Sequence, residues 1–364
     1  MSSLAAGRTM WALPLLCLAG VGPGCESSKT DGADLQGVFD RAPQGSAASA
    51  SASTGATQPT ASADASPPIA PLVREPPAGP CLQAGSEPVA KLDRRIARRP
   101  GCRRARVMEW RDQNGTPRYA CLYAHRNSKA HSPLPLVLFF HGENDDPKVI
   151  HRKTRLRARY GKLDLTGDPT HPGFLILAPQ GRRVGGRIVF DTGHVSGDNV
   201  DVKTVDHFVE SLLAEGSVDR RQIYAVGDSS GGVMAAFYSM VRPRRIAAFA
   251  TYGADASHLK WTCDGLPPPA AILYRACDTI TPCADVEQWL GARQDDRAPT
   301  YSLRLGAGKA AEPSCVLSES RCRKKKGTAN HNRWPKERET EMLEFLSRYS
   351  LAGPPGGGFE APPQ

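Results

Sequence analysis

The hexapeptide Gly227-Asp228-Ser229-Ser230-Gly231-Gly232 joins a strand-like run, QIYAVGDS, to a helical one, GGVMAAFYSM. Gly-x-Ser-x-Gly at a strand-to-helix joint marks a serine held out for nucleophilic attack. Such a serine needs neighbours without Cβ atoms, so that strand and helix approach closely and the hydroxyl projects. This assigns Gly227, Gly231 and Gly232 to a nucleophile elbow. At the helix N-terminus, free amide N–H groups and the helix dipole favour a developing oxyanion. A hydroxyl is a poor nucleophile without a base, and hydrolases with this elbow run Ser, then an acid, then His. Asp278 closes the strand-like run AAILYRAC, and His331 follows in GTANHNRWP. Ser229, Asp278 and His331 are therefore the candidate catalytic triad. Asp285 is the alternative acid and His258 the alternative base, although His258 precedes the acid. A helix cap is the competing role for Asp278. The early run PLVLFFHGEN ends in His141-Gly142-Glu143. An amide from Glu143 or Gly142, with that of Ser230, would form the oxyanion hole, where one donor is worth roughly 3 kcal/mol.

Elements of a particular kind must position these groups. PLVLFFHG (135–142), GFLILAPQ (173–180), QIYAVGDS (222–229), IAAFATYG (246–253) and AAILYRAC (270–277) are short, almost continuously apolar and bounded by turn residues. Runs of this kind read as strands buried on both faces of a parallel sheet. Val205, Phe208, Val209, Leu212 and Leu213 form one helical face, and Met342, Leu343, Phe345 and Leu346 pattern a last helix after Pro335. Asp206 and His207 read as ordinary polar-face residues. RYACLYAH (118–125) alternates and reads as an antiparallel strand near an edge. The sum is an α/β fold, a mostly parallel doubly wound sheet with helices on both faces.

The chain has 364 residues with 47 Lys+Arg against 37 Asp+Glu, a net charge of +10. Residues 1–25 pair Arg8 with an apolar stretch and a small-residue exit, which reads as a signal peptide. Cys25 is a candidate lipidation site of lipoprotein type. Residues 26–80, rich in Ala, Ser, Thr and Pro, read as a disordered tether, 81–352 as the folded domain and 353–364 as a disordered Gly/Pro tail. The expected location is exported: periplasmic, outer-membrane-anchored or extracellular. Cations cluster at 94–106, 151–159, 242–245 and 321–326. Without aromatic interleaving or a reading helix they suggest an anionic envelope glycan or lipid rather than nucleic acid.

Eight cysteines fall in the domain, at 81, 102, 121, 263, 277, 283, 315 and 322. An even number beyond an export signal implies disulfides. Locality suggests Cys277–Cys283 and Cys315–Cys322. No Cys-x-x-Cys pair or His spacing supports zinc, and neither a metal nor an organic cofactor is expected.

PLVLFFHG, FLILAPQG and DHFVESLLAEGSVDRRQIYAVGDSSGGVMAAFYS resemble the α/β-hydrolases of the extracellular polyhydroxybutyrate depolymerase and feruloyl (acetyl-xylan) esterase group, over about 118–350. The resemblance implies an α/β-hydrolase fold, with Ser229 as nucleophile, Asp278 as acid and His331 as base. It departs in two places. Glu143-Asn144-Asp145-Asp146 replaces small residues after His-Gly, which would weaken anion stabilisation or select a cationic substrate. Thr328-Ala329-Asn330-His331-Asn332-Arg333-Trp334-Pro335 carries one extra residue between His and Trp, which would displace the base. The expected activity is a serine esterase acting on an ester, polymeric or not, as a monomer. The alternatives are a serine peptidase on the same fold and a non-catalytic surface binder.

Overall fold

An apolar strand can bury both faces only inside a sheet covered on both sides. The computed structural model contains such a sheet. It describes residues 71–82, 98–125, 133–166, 172–195, 199–306, 308–316 and 322–353. The leader, Cys25, most of the tether and almost all of the tail lie outside these residues.

The strands are β1 (Leu72–Arg74), β2 (Arg106–Arg111), β3 (Pro117–Tyr123), β4 (Leu134–Phe140), β5 (Leu175–Pro179) and β6 (Arg182–Val184). Then come β7 (Arg187–Val189), β8 (Val218–Asp228), β9 (Ala248–Tyr252), β10 (Ala270–Arg275), β11 (Thr300–Leu305) and β12 (Tyr349–Leu351). The helices are α1 (Val149–Lys153), α2 (Leu156–Arg159), α3 (Val200–Ala214), α4 (Ser230–Val241), α5 (Cys283–Asp295), α6 (Lys324–His331) and α7 (Glu339–Ser347).

Eight strands form the central sheet in the order β11-β10-β9-β8-β4-β5-β3-β2. All neighbours from β11 to β5 run parallel, and β3 and β2 join antiparallel at one edge. Every residue of β4, β5, β9 and β10 is buried. Alternation along the strands splits the core in two. Leu136, Leu138 and Phe140 pack with Phe208, Phe237 and Trp289 of α3, α4 and α5 on one face. Val137 and Phe139 pack with Ile150, Leu156 and Leu343 of α1, α2 and α7 on the other. Burying one such side chain stabilises by about 1.5–3 kcal/mol, so both faces need their helices.

The expected domain boundary at residue 81 falls short. β1 pairs in parallel with β12, and the Arg74 guanidinium donates to the carbonyls of Pro243 and Ile246 in the turn leading into β9. A three-residue strand is too short to carry a periodic signal, and its partner lies at the far end of the chain.

The expected pairings Cys277–Cys283 and Cys315–Cys322 are also corrected. The disulfides are Cys277–Cys322 and Cys283–Cys315, with Cys81–Cys263 and Cys102–Cys121 elsewhere. The Asp278 turn separates Cys277 from Cys283. The Val316 amide donates to Ala276, which brings the 315 segment alongside and gives each cysteine a partner distant in sequence. Among the described residues no helix is long and apolar enough to cross a membrane.

Candidate active site

Strand β8 ends at Asp228 and α4 begins at Ser230, so Ser229 must make the turn alone. It does so at φ 54° and ψ −130°, a region costly to any residue with a Cβ. The glycines make the turn possible. A Cβ on Gly227 would lie 2.1 Å from the Gly231 carbonyl oxygen, and one on Gly231 would lie 2.3 Å from the Phe140 carbonyl oxygen. On Gly232 it would lie 2.7 Å from the Ala254 Cβ. The Ser229 amide donates to Tyr252 of β9, pinning the turn from the other side. Ser229 is partly exposed.

Three side chains from separate elements meet here. The Ser229 Oγ lies 2.9 Å from His331 Nε2, and His331 Nδ1 lies 2.9 Å from Asp278 Oδ2. Asp278 also behaves as a turn residue, since its Oδ1 accepts the amides of Ile280 and Thr281. These two bonds fix the carboxylate, and α5 starts only at Cys283, so Asp278 does not cap that helix. Gly253, at φ +56°, leaves room for the pair: a Cβ there would lie 3.4 Å from His331 Nδ1. The alternative partners are elsewhere. Asp285 and His258 are exposed, Asp206 accepts from Tyr238 and Arg242, and His207 stacks on Trp110.

His331 is not in a loop but is the last residue of α6. That helix has no apolar face and is held by specific ties. Gly327 packs so closely on Thr279 that a Cβ would lie 2.4 Å away. Asn330 donates to the Cys277 carbonyl, and its own carbonyl accepts the Tyr252 hydroxyl. Tyr252 in turn accepts from Arg275, whose guanidinium also donates to the carbonyls of Gly306, Gly308 and Arg333. Arg275 is 1% exposed, and backbone carbonyls stand in for a counter-ion. The extra residue after His331 therefore leaves the base within reach of Ser229, because these ties and not the loop spacing place it.

The side expected to hold an oxyanion is equally fixed. Gly142 packs against the elbow, where a Cβ would lie 3.4 Å from Ser229 Cβ. His141 Nε2 accepts the Gly181 amide, so Nδ1 carries the proton and donates to the Gly142 carbonyl. Burial holds the His141 imidazole below its ordinary range, consistent with this neutral form. Ser230 opens α4, where an amide has no acceptor within the helix.

Two further residues escape motif reading. Asp228 is 2% exposed and lies 2.5 Å from the ammonium of Lys153, which also bridges Asp145. Burial works against the Lys153 charge, but Asp228 and Asp145 outweigh it and hold the ammonium above its usual range. The acidic loop is neutralised throughout: Glu143 pairs with Arg187, Asp145 with Arg152 and Lys153, and Asp146 with Lys148. It therefore presents no net acidic face for a cationic substrate, contrary to expectation. Among the described residues the one grouping of metal-ligating types is Cys283, Glu287 and Cys315, and two of its sulfurs are joined as a disulfide.

The parallel sheet, the serine on a positive-φ turn between β8 and α4, and the order Ser, Asp, His make this the α/β-hydrolase fold. Neither the protein-family models nor the curated proteins give a match to the sequence. Solved structures do match in shape. A thermostable esterase aligns at TM-score 0.49 and 17% identity, over 68% of this chain and 64% of that one, so the alignment spans under two thirds of that esterase. An esterase from Pyrobaculum calidifontis aligns at TM-score 0.46 and 13% identity, over 67% of this chain and 85% of its own. The propionate-bound esterase Est2 of the planctomycete Thermogutta terrifontis aligns at TM-score 0.45 and 16% identity, over 57% and 85%.

Proposed function

We propose that this protein is an exported serine esterase. The observation that carries the reading is the unbroken chain of hydrogen bonds from Ser229 through His331 to Asp278, with the serine on its positive-φ elbow. The Ser229 hydroxyl attacks the carbonyl carbon of a carboxylic ester and passes its proton to His331 Nε2. Asp278 holds the imidazole by Nδ1–H and stabilises the imidazolium that forms. The amide of Ser230, with that of Gly142 or Glu143, receives the negative charge developing on the carbonyl oxygen. Collapse of the tetrahedral adduct breaks the bond to the alcohol, which leaves with the proton from His331. Water, deprotonated by His331, then cleaves the acyl-enzyme and releases the acid. No step calls for a metal or cofactor.

Four disulfides suit an oxidising compartment and support export, while a lipid anchor at Cys25 rests on the leader sequence alone. The sequence likeness to polyhydroxybutyrate depolymerases and feruloyl esterases favours esters over peptides. A binder that had lost its chemistry would have no reason to keep the Ser229–His331 distance at 2.9 Å. The test is labelling by a fluorophosphonate probe. The folded protein should label, and Ser229→Ala should not; a folded wild type that never labels overturns the proposal.

A further inference from the structure

A cleft of about 790 Å³ is lined by residues of the β4–α1 loop, of α1 and of the segments around α6. Two of its neighbours link it to the triad. Asn332 and Arg333, which directly follow His331, line it, as does Lys153, which pairs with the residue before Ser229. Its lining is strongly one-sided in charge. Arg152, Lys153, Lys309, Arg333 and Lys336 face it, against two acids, Asp145 and Glu337. Asp145 is already held by Arg152 and Lys153.

The walls are built and not merely crowded. Arg275 clamps the backbone of Gly308 and Arg333 from beneath. Trp334 donates to the fully buried Glu339, which also accepts from Arg155 and Arg159, so the indole is locked to α2 and α7. Lys336 spans the gap by donating to the Arg152 carbonyl, a bond that leaves its charge uncompensated. Lys309 has no ion pair among the described residues. An anion entering the cleft would meet a net positive field, with low-dielectric walls on two sides.

We propose that this cleft selects esters carrying a second, anionic group, a carboxylate or a phosphate, on the acyl or the alcohol part. The inference rests on the esterase reading. Lys309 and Lys336 receive the anion while the neutral ester group reaches Ser229. This reverses the preference that the acidic Glu143–Asp146 segment suggested.

The experiment compares charged esters with neutral counterparts of matched shape. For the acyl side the pair is 4-nitrophenyl hemiglutarate and 4-nitrophenyl pentanoate; for the alcohol side it is 4-acetoxybenzoate and 4-acetoxybenzamide. The wild type should favour the charged member of at least one pair by roughly tenfold or more in kcat/KM at low salt. The pair that shows the preference identifies the side that carries the anion. The ratio should fall toward one at about 0.5 M salt, where exposed charges are screened. It should also collapse in Lys309→Gln/Lys336→Gln. Arg220→Gln, which removes an exposed cation at the start of β8, should keep it. A wild type that labels with fluorophosphonate and hydrolyses charged and neutral esters alike overturns the anion cleft but leaves the hydrolase standing. A protein that neither labels nor hydrolyses overturns the reading on which both rest.

Discussion

Lys153→Met should slow the reaction by removing the counter-charge beneath the nucleophile. The Asp228 carboxylate is 2% exposed and borders the oxyanion side, with Oδ2 3.3 Å from where a Gly142 Cβ would stand. Taking about 6 Å as the separation between an oxyanion at the Gly142 and Ser230 amides and that carboxylate sets the scale of the effect. At an effective dielectric constant of about 20, two like charges at that distance repel by roughly 3 kcal/mol. In the wild type the ammonium at 2.5 Å cancels most of this field. Lys153→Met should therefore lower kcat by about 100-fold on a neutral activated ester, chosen so that the anion cleft plays no part. Asp228→Asn added to Lys153→Met removes the offending charge and should recover most of the rate, to within about tenfold of wild type. The assay is a pH–rate profile of wild type, single and double variants, with thermal melts to check folding. A broken buried pair also destabilises by about 3–5 kcal/mol, and the double variant should melt above the single. A Lys153→Met enzyme with wild-type kcat at every pH would refute the reasoning. So would a double variant no faster than the single.

Other consequences are open to direct measurement. Gly231→Ala forces a Cβ to within 2.3 Å of a carbonyl oxygen and should lose more than about 2 kcal/mol of stability and nearly all fluorophosphonate labelling, read from melts and gel fluorescence. Cys277→Ser/Cys322→Ser removes the link between the Asp278 turn and the segment leading into α6. Loop entropy puts the cost near 4 kcal/mol, and kcat in the folded fraction should fall further than in Cys102→Ser/Cys121→Ser, where the link lies at the sheet edge. Burial raises the Asp201 carboxyl to about 6, with Arg182 pulling the other way. Because the folded protein holds this proton more tightly than the unfolded chain, the group's contribution to stability is lost as pH rises from about 4 to about 6. Relative to wild type, Asp201→Asn should gain about 2–3 kcal/mol between pH 4 and pH 7 in denaturant melts.

Much of this architecture is written locally. A strand such as Leu134–Phe140, buried throughout, has to be apolar throughout, and the elbow has to be glycine on both sides of its serine. Such constraints leave marks within a few residues. The order of Asp278 and His331 is legible because both follow Ser229 in the chain, Asp278 on the turn after β10 and His331 at the end of α6. What could not be read depends on partners far apart in sequence. Lys153 meets Asp228 across 75 positions, and Arg275 gathers carbonyls from Gly306 to Arg333. The cysteine pairs follow the path of the backbone past Ala276 and not their spacing. The helix that carries His331, rich in lysine, lacks any periodic signal because its neighbours and not its own apolar face hold it.

The pairing of Leu72–Arg74 with the last strand has a consequence for presentation. Arg74 is fastened at the turn leading into β9, where the parallel strands begin, whereas Ser229 stands where they end. Strand β1 therefore ties residues 72–74 to the end of the sheet opposite Ser229, and leaves the mouth of the site clear of that segment.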